Sequence, residues 1–165
     1  MEKITDKPFV SMRDATNPIS HWAAYPVRRH GIEFFTSEAA CQAEAFGKDA
    51  ANIVEEIRQA PSPRIAMEIA LRNRKKIKRN WQRVRRRLVT RICMDKVTRH
   101  PEVRQALWET WGYPIKLDTK DPYWGLGTNG NGGNVAGAIM EQCRERLFRE
   151  PYTLPQEEKM FADEY

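Results

Sequence analysis

Apolar residues in this chain recur mostly three and four positions apart, the spacing that lays one face of an α-helix against a core. In "NWQRVRRRLVTRICMDKVTR", Trp81, Val84, Leu88, Ile92 and Val97 share such a face. Arg83, Arg86 and Arg87 lie elsewhere on the cylinder, so a helix is predicted over about 80–99. A second long helix is predicted from about Asn134, burying Ala136, Ile139, Met140, Cys143 and Leu147. Punctuation residues supply the others. Thr36 and Ser37 can cap "SEAACQAEAF", which Gly47 closes, and Asp49 can cap a helix reaching about Gln59. Ser62-Pro63 starts another that runs toward Arg74, and Pro101 opens one that Gly112 ends. The one hairpin signal is "YPVRRHGIEFF", with His30-Gly31 as its turn, and "PIKLD" reads as a short extended piece. The expectation is a mainly α fold: a single compact helical domain with a small β-hairpin element.

Composition narrows the class. A chain of 165 residues suits one domain, and 41% hydrophobic with 10% aromatic content argues for a folded one. No stretch is long and apolar enough for a membrane span, and the N-terminus lacks the apolar segment of a signal peptide. Cys41, Cys93 and Cys143 have neither disulfide nor zinc spacing, which reads as reduced thiols in a cytoplasmic protein without a metal. No cofactor is implied.

Charge is concentrated rather than spread. The formal net charge is +6, yet Arg72 to Arg91 alone holds eleven basic residues and no acid. Subtracting these eleven from 28 leaves 17 basic residues against 22 acidic ones. Such a segment is either a solvated helix face or a surface that follows a DNA or RNA backbone. The C-terminal residues 151–165 read as an acidic tail, and residues 1–18 as an N-terminal extension of a domain spanning 19–150.

The loop "DPYWGLGTNGNGGN", residues 121–134, uses five of the nine glycines. Gly125, Gly127 and Gly130 match GxGxxG, but no βαβ unit surrounds them and no Gly-Lys-Ser/Thr follows, so neither a dinucleotide fold nor a P-loop is indicated. Two readings remain: a surface turn with Asn134 as a helix cap, or a glycine-rich approach to a helix N-terminus that suits phosphate.

At these residues the chain resembles the NADAR superfamily, the YbiA-like N-glycosidases. Asp121, Trp124, Gly125, Gly127, Asn134, Gly137 and Arg144 fall at the positions of its D-x-x-W-G-x-G block, its N-x-x-G and its later Arg. Upstream, "SHWAAYPVRRHGIEFFTSEAACQAEAF" is similar to the family's opening pattern at Ser20, Tyr25, Pro26, Gly31, Thr36, Ser37, Glu38, Gln42, Ala43 and Phe46. "RNRKKIKRNW" resembles its basic run into Asn-Trp, placing Arg72 and Trp81, and Lys96 and His100 also fit.

The resemblance implies hydrolysis of an N-glycosidic bond between a phosphorylated ribose and a base or amine. Its substrates would be ADP-ribose on guanine in nucleic acid or small phosphoribosyl metabolites such as riboflavin-pathway intermediates. A non-catalytic ADP-ribose or nucleic-acid binding module is the third possibility. The resemblance makes Glu38 the principal catalytic carboxylate and Asp121 an assisting or ribose-orienting one. Ser20, Trp22, Trp81, Trp124 and Gly127 become substrate-binding, with Arg72 and the Asn134 helix start holding phosphate. On residue type alone, Glu38 is more often a first-turn acid favoured by the helix dipole, and at least one of the tryptophans ordinary core. The chain departs from the family pattern at Ala39-Ala40, where the family has His-Tyr, at Ala45 in place of Lys, and at His21 in place of Asn. These changes are expected to widen the pocket or alter how substrate is held.

Overall fold

The computed structural model describes residues 8–149. The hairpin is present as β2 (Val27–Arg29) and β3 (Ile32–Phe34), after a first strand β1 (Val10–Ser11). Its two turn residues, His30 at φ 49° and Gly31 at φ 75°, both adopt the left-handed backbone that a tight right-twisted hairpin requires. Val27 pairs with Phe34, and both side chains are buried.

Three helices then pack on one another: α1 (Ser37–Glu44), α2 (Ala51–Arg58) and α3 (Pro63–Arg72). Thr36 caps α1 by accepting from the Ala39 N–H, and Ser62 caps α3 by accepting from the Ile65 N–H with Pro63 in the first turn. Two expected boundaries shift. Helix α1 stops before Ala45, which is right-handed, and Gly47 lies beyond it in an extended conformation. Asp49 sits inside a 3-10 turn, Lys48–Ala50, and α2 begins without a side-chain cap.

Helix α4 (Trp81–Arg99) runs through the middle. Its first half is amphipathic as expected, with Trp81 and Val84 half-buried and Arg83, Arg86 and Arg87 exposed. Its second half is enclosed on most sides, because Val89, Cys93, Met94 and Val97 enter one apolar cluster while Ile92 enters another. The first cluster is completed by α5 (Pro101–Glu109), β4 (Ile115–Lys116) and α6 (Val135–Phe148); the second by β2, β3 and α1–α3. The five α6 residues expected inside are all buried.

The expected extended piece "PIKLD" contains β4, which pairs in parallel with β1 in the register Val10–Ile115 and Ser11–Lys116. Met12, next along the chain, is 1% exposed and joins the first cluster. Residues 10–12, in the stretch expected as an extension, thus contribute both a strand and core. The acidic tail expected at 151–165 lies outside the described residues.

Candidate active site

The two apolar clusters leave a cavity of about 650 Å³ between them. One face of α1 forms its wall: Glu38, Cys41 and Gln42 line it at the three- and four-residue steps that share a helix face, and Ala45, the residue just past the helix end, continues it. The capped first turn sets Glu38 in place, and the Glu38 N–H donates to the His21 carbonyl at 3.0 Å. Gln42, one turn on, donates from Nε2 to Glu38 Oε1 at 2.7 Å. Burial holds the Glu38 carboxyl above its ordinary pKa; the Gln42 bond opposes this, and the charge of Asp121 adds to it. Two carboxylates therefore line one cavity.

Asp121 comes from the glycine-rich loop. Its Oδ1 accepts from the Tyr123 and Trp124 N–H groups at 2.8 and 2.6 Å, and its carbonyl accepts from Gly125 and Gly127. The glycines serve close packing of this loop on itself. A methyl group at Gly132 would lie 2.4 Å from the Gly125 carbonyl oxygen, and one at Gly125 would lie 2.3 Å from Thr119 Oγ1. Within the loop the N–H groups of Gly132 and Gly133 donate to the Leu126 and Pro122 carbonyls. Where the loop meets α6, the N–H groups of Asn134, Val135 and Ala136 donate to the carbonyls of Gly125, Tyr123 and Trp124. These donors are engaged, so this helix start is a packed corner and not an open phosphate cradle.

Asn134 makes no side-chain cap. It takes φ 47° and turns its amide onto β4, accepting from the Leu117 N–H at 2.9 Å and donating to the Ile115 carbonyl at 3.0 Å. Gly137, three residues on, lets α6 approach that same carbonyl. Arg144 donates to the Thr110 and Tyr113 carbonyls and so ties off the end of α5.

Of the residues expected at the site, Glu38, Asp121, Trp22, Trp81 and Trp124 line the cavity together. Ser20, Arg72, Gly127 and Asn134 do not. Ser20 is fully buried, accepting from the Trp22 N–H on Oγ and from Lys96 Nζ on its carbonyl. Arg72 is exposed and paired with Glu56. Ala39 and Ala40, expected to widen the pocket, lie in the second apolar cluster and do not line it, whereas Ala45, expected to alter how substrate is held, does.

The cavity also takes in Cys41 and Arg13, which motif reading passed over, together with Gln42 and His21, which it named without a role at the site. The signal for Cys41 and Gln42 was their spacing from Glu38. His21 Nδ1 lies 3.1 Å from Ser37 Oγ, and burial, with the nearby Lys96 cation, drives its pKa down to about 3. It is a neutral imidazole near neutral pH and carries no charge toward a ligand. The basic segment borders the cavity through Ile77 and Trp81, and Arg85 lies 3.3 Å over the Tyr123 ring beside Asp121. Among the described residues, no group of three or more His, Cys, Asp or Glu is placed to hold a metal ion, and no helix is long and apolar enough to cross a membrane.

The raised Glu38 pKa has a consequence for stability. Folding favours the protonated carboxyl, so its contribution is full below the unfolded pKa and is lost as pH rises through the folded one. Glu38→Gln is therefore expected to raise Tm at pH 7 relative to the parent, with the difference shrinking toward pH 4. Thermal melts at the two pH values check this, and an equal or lower Tm at pH 7 contradicts it.

Comparison with known proteins gives one family. The NADAR domain model matches residues 8–148. N-glycosidase YbiA of Shigella boydii is 33% identical over 142 residues, covering 84% of this chain and 86% of the relative. N-glycosidase Npun_R5314 of Nostoc punctiforme is 28% identical over 127 residues, covering 72% of this chain and 80% of the relative. The NMR structure of Escherichia coli YbiA superposes with a TM-score of 0.71 at 33% identity, covering 84% of this chain and 82% of that one.

Proposed function

This chain belongs to the NADAR family and is a hydrolase of N-glycosyl bonds, and from that premise we propose that it removes an ADP-ribosyl group from a nucleic-acid base, with Glu38 and Asp121 as its acting carboxylates. The observation that carries the assignment is their convergence on one cavity with three tryptophans. Breaking the C1′–N bond leaves positive, oxocarbenium-like charge on the ribose, and a carboxylate beside C1′ lowers the energy of that state. Glu38, held at Oε1 by Gln42, is the principal group. As the bond breaks, its electron pair stays with the base nitrogen, which takes up a proton from solvent, and the carboxylate returns to solvent the one it receives from water. Water oxygen bonds to C1′, and its proton passes to the carboxylate. Asp121 is anchored through Oδ1, which leaves Oδ2 for a ribose hydroxyl or the water. Trp22, Trp81 and Trp124 supply flat apolar walls for the base.

Nucleic acid is favoured over a small metabolite by the position of the basic segment. Residues Ile77 and Trp81 of that segment line the cavity, and Arg79, Arg83, Arg86 and Arg87 are exposed nearby along the chain. A strand entering the cavity would meet their charge. Incubation with guanine-ADP-ribosylated DNA, followed by mass spectrometry, should detect free ADP-ribose and restored guanine. Hydrolysis of a phosphoribosyl amine with no release from the DNA would overturn the nucleic-acid reading in favour of the metabolite one.

The charge term is separable from the chemistry. Replacing Arg83, Arg86 and Arg87 together by Gln is expected to reduce the slope of log affinity for DNA against log salt by roughly two to three. Binding titrations at several salt concentrations measure it, and an unchanged slope places the DNA elsewhere.

A further inference from the structure

The proposed substrate brings phosphate into a cavity that already holds two carboxylates, so a cation must offset their charge. The obvious candidates are occupied. Arg72 pairs with Glu56 on the surface, and the N–H groups at the start of α6 are bonded to loop carbonyls. Arg85 is stacked over Tyr123 with its Nε unpartnered, but it does not line the cavity. Lys78 lies 3.9 Å from Glu44, and Lys96 is buried with its Nζ donating to the Ser20 carbonyl. His21 is neutral. Among the described residues that line the cavity, Arg13 is the one cationic side chain.

Its setting suits a binding role. Met12 is packed in the core, β1 is paired with β4, and the Arg13 N–H donates to Ser11 Oγ at 3.2 Å, so the backbone is fixed on all three counts. The Arg13 side chain is exposed at the cavity wall and forms no ion pair or hydrogen bond with the described residues. A guanidinium presents paired N–H donors in a planar fork that matches two oxygens of a phosphate, a fit that an ammonium cannot reproduce.

Resting on the phosphorylated-ribose reading, we infer that Arg13 forms an anion subsite at the rim of the cavity and holds a phosphate of the substrate there, while Glu38 and Asp121 face the sugar. Arg13 is then a specificity residue: it separates phosphorylated from unphosphorylated ribosyl groups and takes no part in bond breaking.

The test compares ribose 5-phosphate with ribose as ligands, by calorimetry, for wild type, Arg13→Gln and Arg13→Lys. Wild type should prefer the phosphorylated sugar by about ten- to a hundredfold, the range of a charge-assisted contact. Arg13→Gln should bring the preference below about threefold with ribose affinity unchanged, and Arg13→Lys should fall between. In turnover assays KM should rise and kcat hold. Because the side chain is exposed, equal melting temperatures confirm that the variants are folded. The same preference in wild type and Arg13→Gln overturns the assignment, as does a wild type with no preference. If the preference exists and depends on Arg13, but wild type cleaves no ribosyl–base bond, the subsite stands and the proposed reaction falls.

Discussion

Glu38→Gln is expected to lower kcat by roughly a thousandfold while leaving substrate affinity within about threefold. The change is nearly isosteric. The amide oxygen can still accept from Gln42, and the capped first turn of α1 is untouched, so the cavity keeps its shape. Only the negative charge and the basic oxygen are removed. Both matter in the transition state, where ribose is cationic and water must lose a proton, and much less in the bound ground state. A loss confined to kcat is the signature of an interaction made in the transition state. Single-turnover kinetics alongside a direct binding measurement separate the two. A variant within about tenfold of wild type would remove Glu38 from the chemistry. The smaller effect belongs to Asp121→Asn, at roughly ten- to a hundredfold, because its Oδ1 is committed to the Tyr123 and Trp124 N–H groups and the amide keeps an acceptor there.

The second large effect is on the fold that holds the site. Gly137→Ala is expected to destabilise the protein by about 3 kcal/mol or more. The added methyl would lie 2.1 Å from the Ile115 carbonyl oxygen and 2.6 Å from the Asn134 amide nitrogen. The carbonyl belongs to backbone and cannot swing aside, so α6 must lift off β4 and the Asn134 bonds to that strand must stretch. Cavity residues Leu117 and Ala136 lie at this junction, so activity falls with stability. Gly130→Ala provides the contrast: nothing lies within 4 Å of its added methyl, and only the left-handed φ of 75° opposes it. That change is expected to cost about 1 kcal/mol. Urea denaturation of the two variants should separate them clearly. Equal losses would mean that the close approach of α6 to β4 is not what fixes the glycine.

These cases also show what could be read from the residues and what could not. Helices were legible because their signals are local: a capping Ser62 before Pro63, a Gly112 after α5, an apolar step of three and four in α6. The hairpin was legible because His30-Gly31 is a turn whose backbone few residues adopt. The β1–β4 pair was half legible, since two-residue strands carry no periodicity and their pairing joins segments about a hundred residues apart. That distance also explains Arg13, which reaches the cavity only because β1 docks on β4. Asn134 shows a different limit. Its place in the motif is the same whether it caps, binds phosphate or braces a strand, and only the positions of Ile115 and Leu117 decide. Among the alanines, Ala45 reaches the cavity because, as the right-handed cap of α1, it continues the face that carries Glu38, whereas Ala39 and Ala40 are turned toward the other helices.

The central claim is that the cavity between α1 and the Asp121 loop is where the N-glycosyl bond is cut. A crystal structure of Glu38→Gln with uncleaved ADP-ribosylated nucleotide bound tests it most directly. The ribose is expected in this cavity, with C1′ about 3–3.5 Å from the residue-38 side chain or from a water it holds, and Asp121 on the sugar. A ribose bound outside the cavity, for example along the Arg83–Arg87 face, would contradict it.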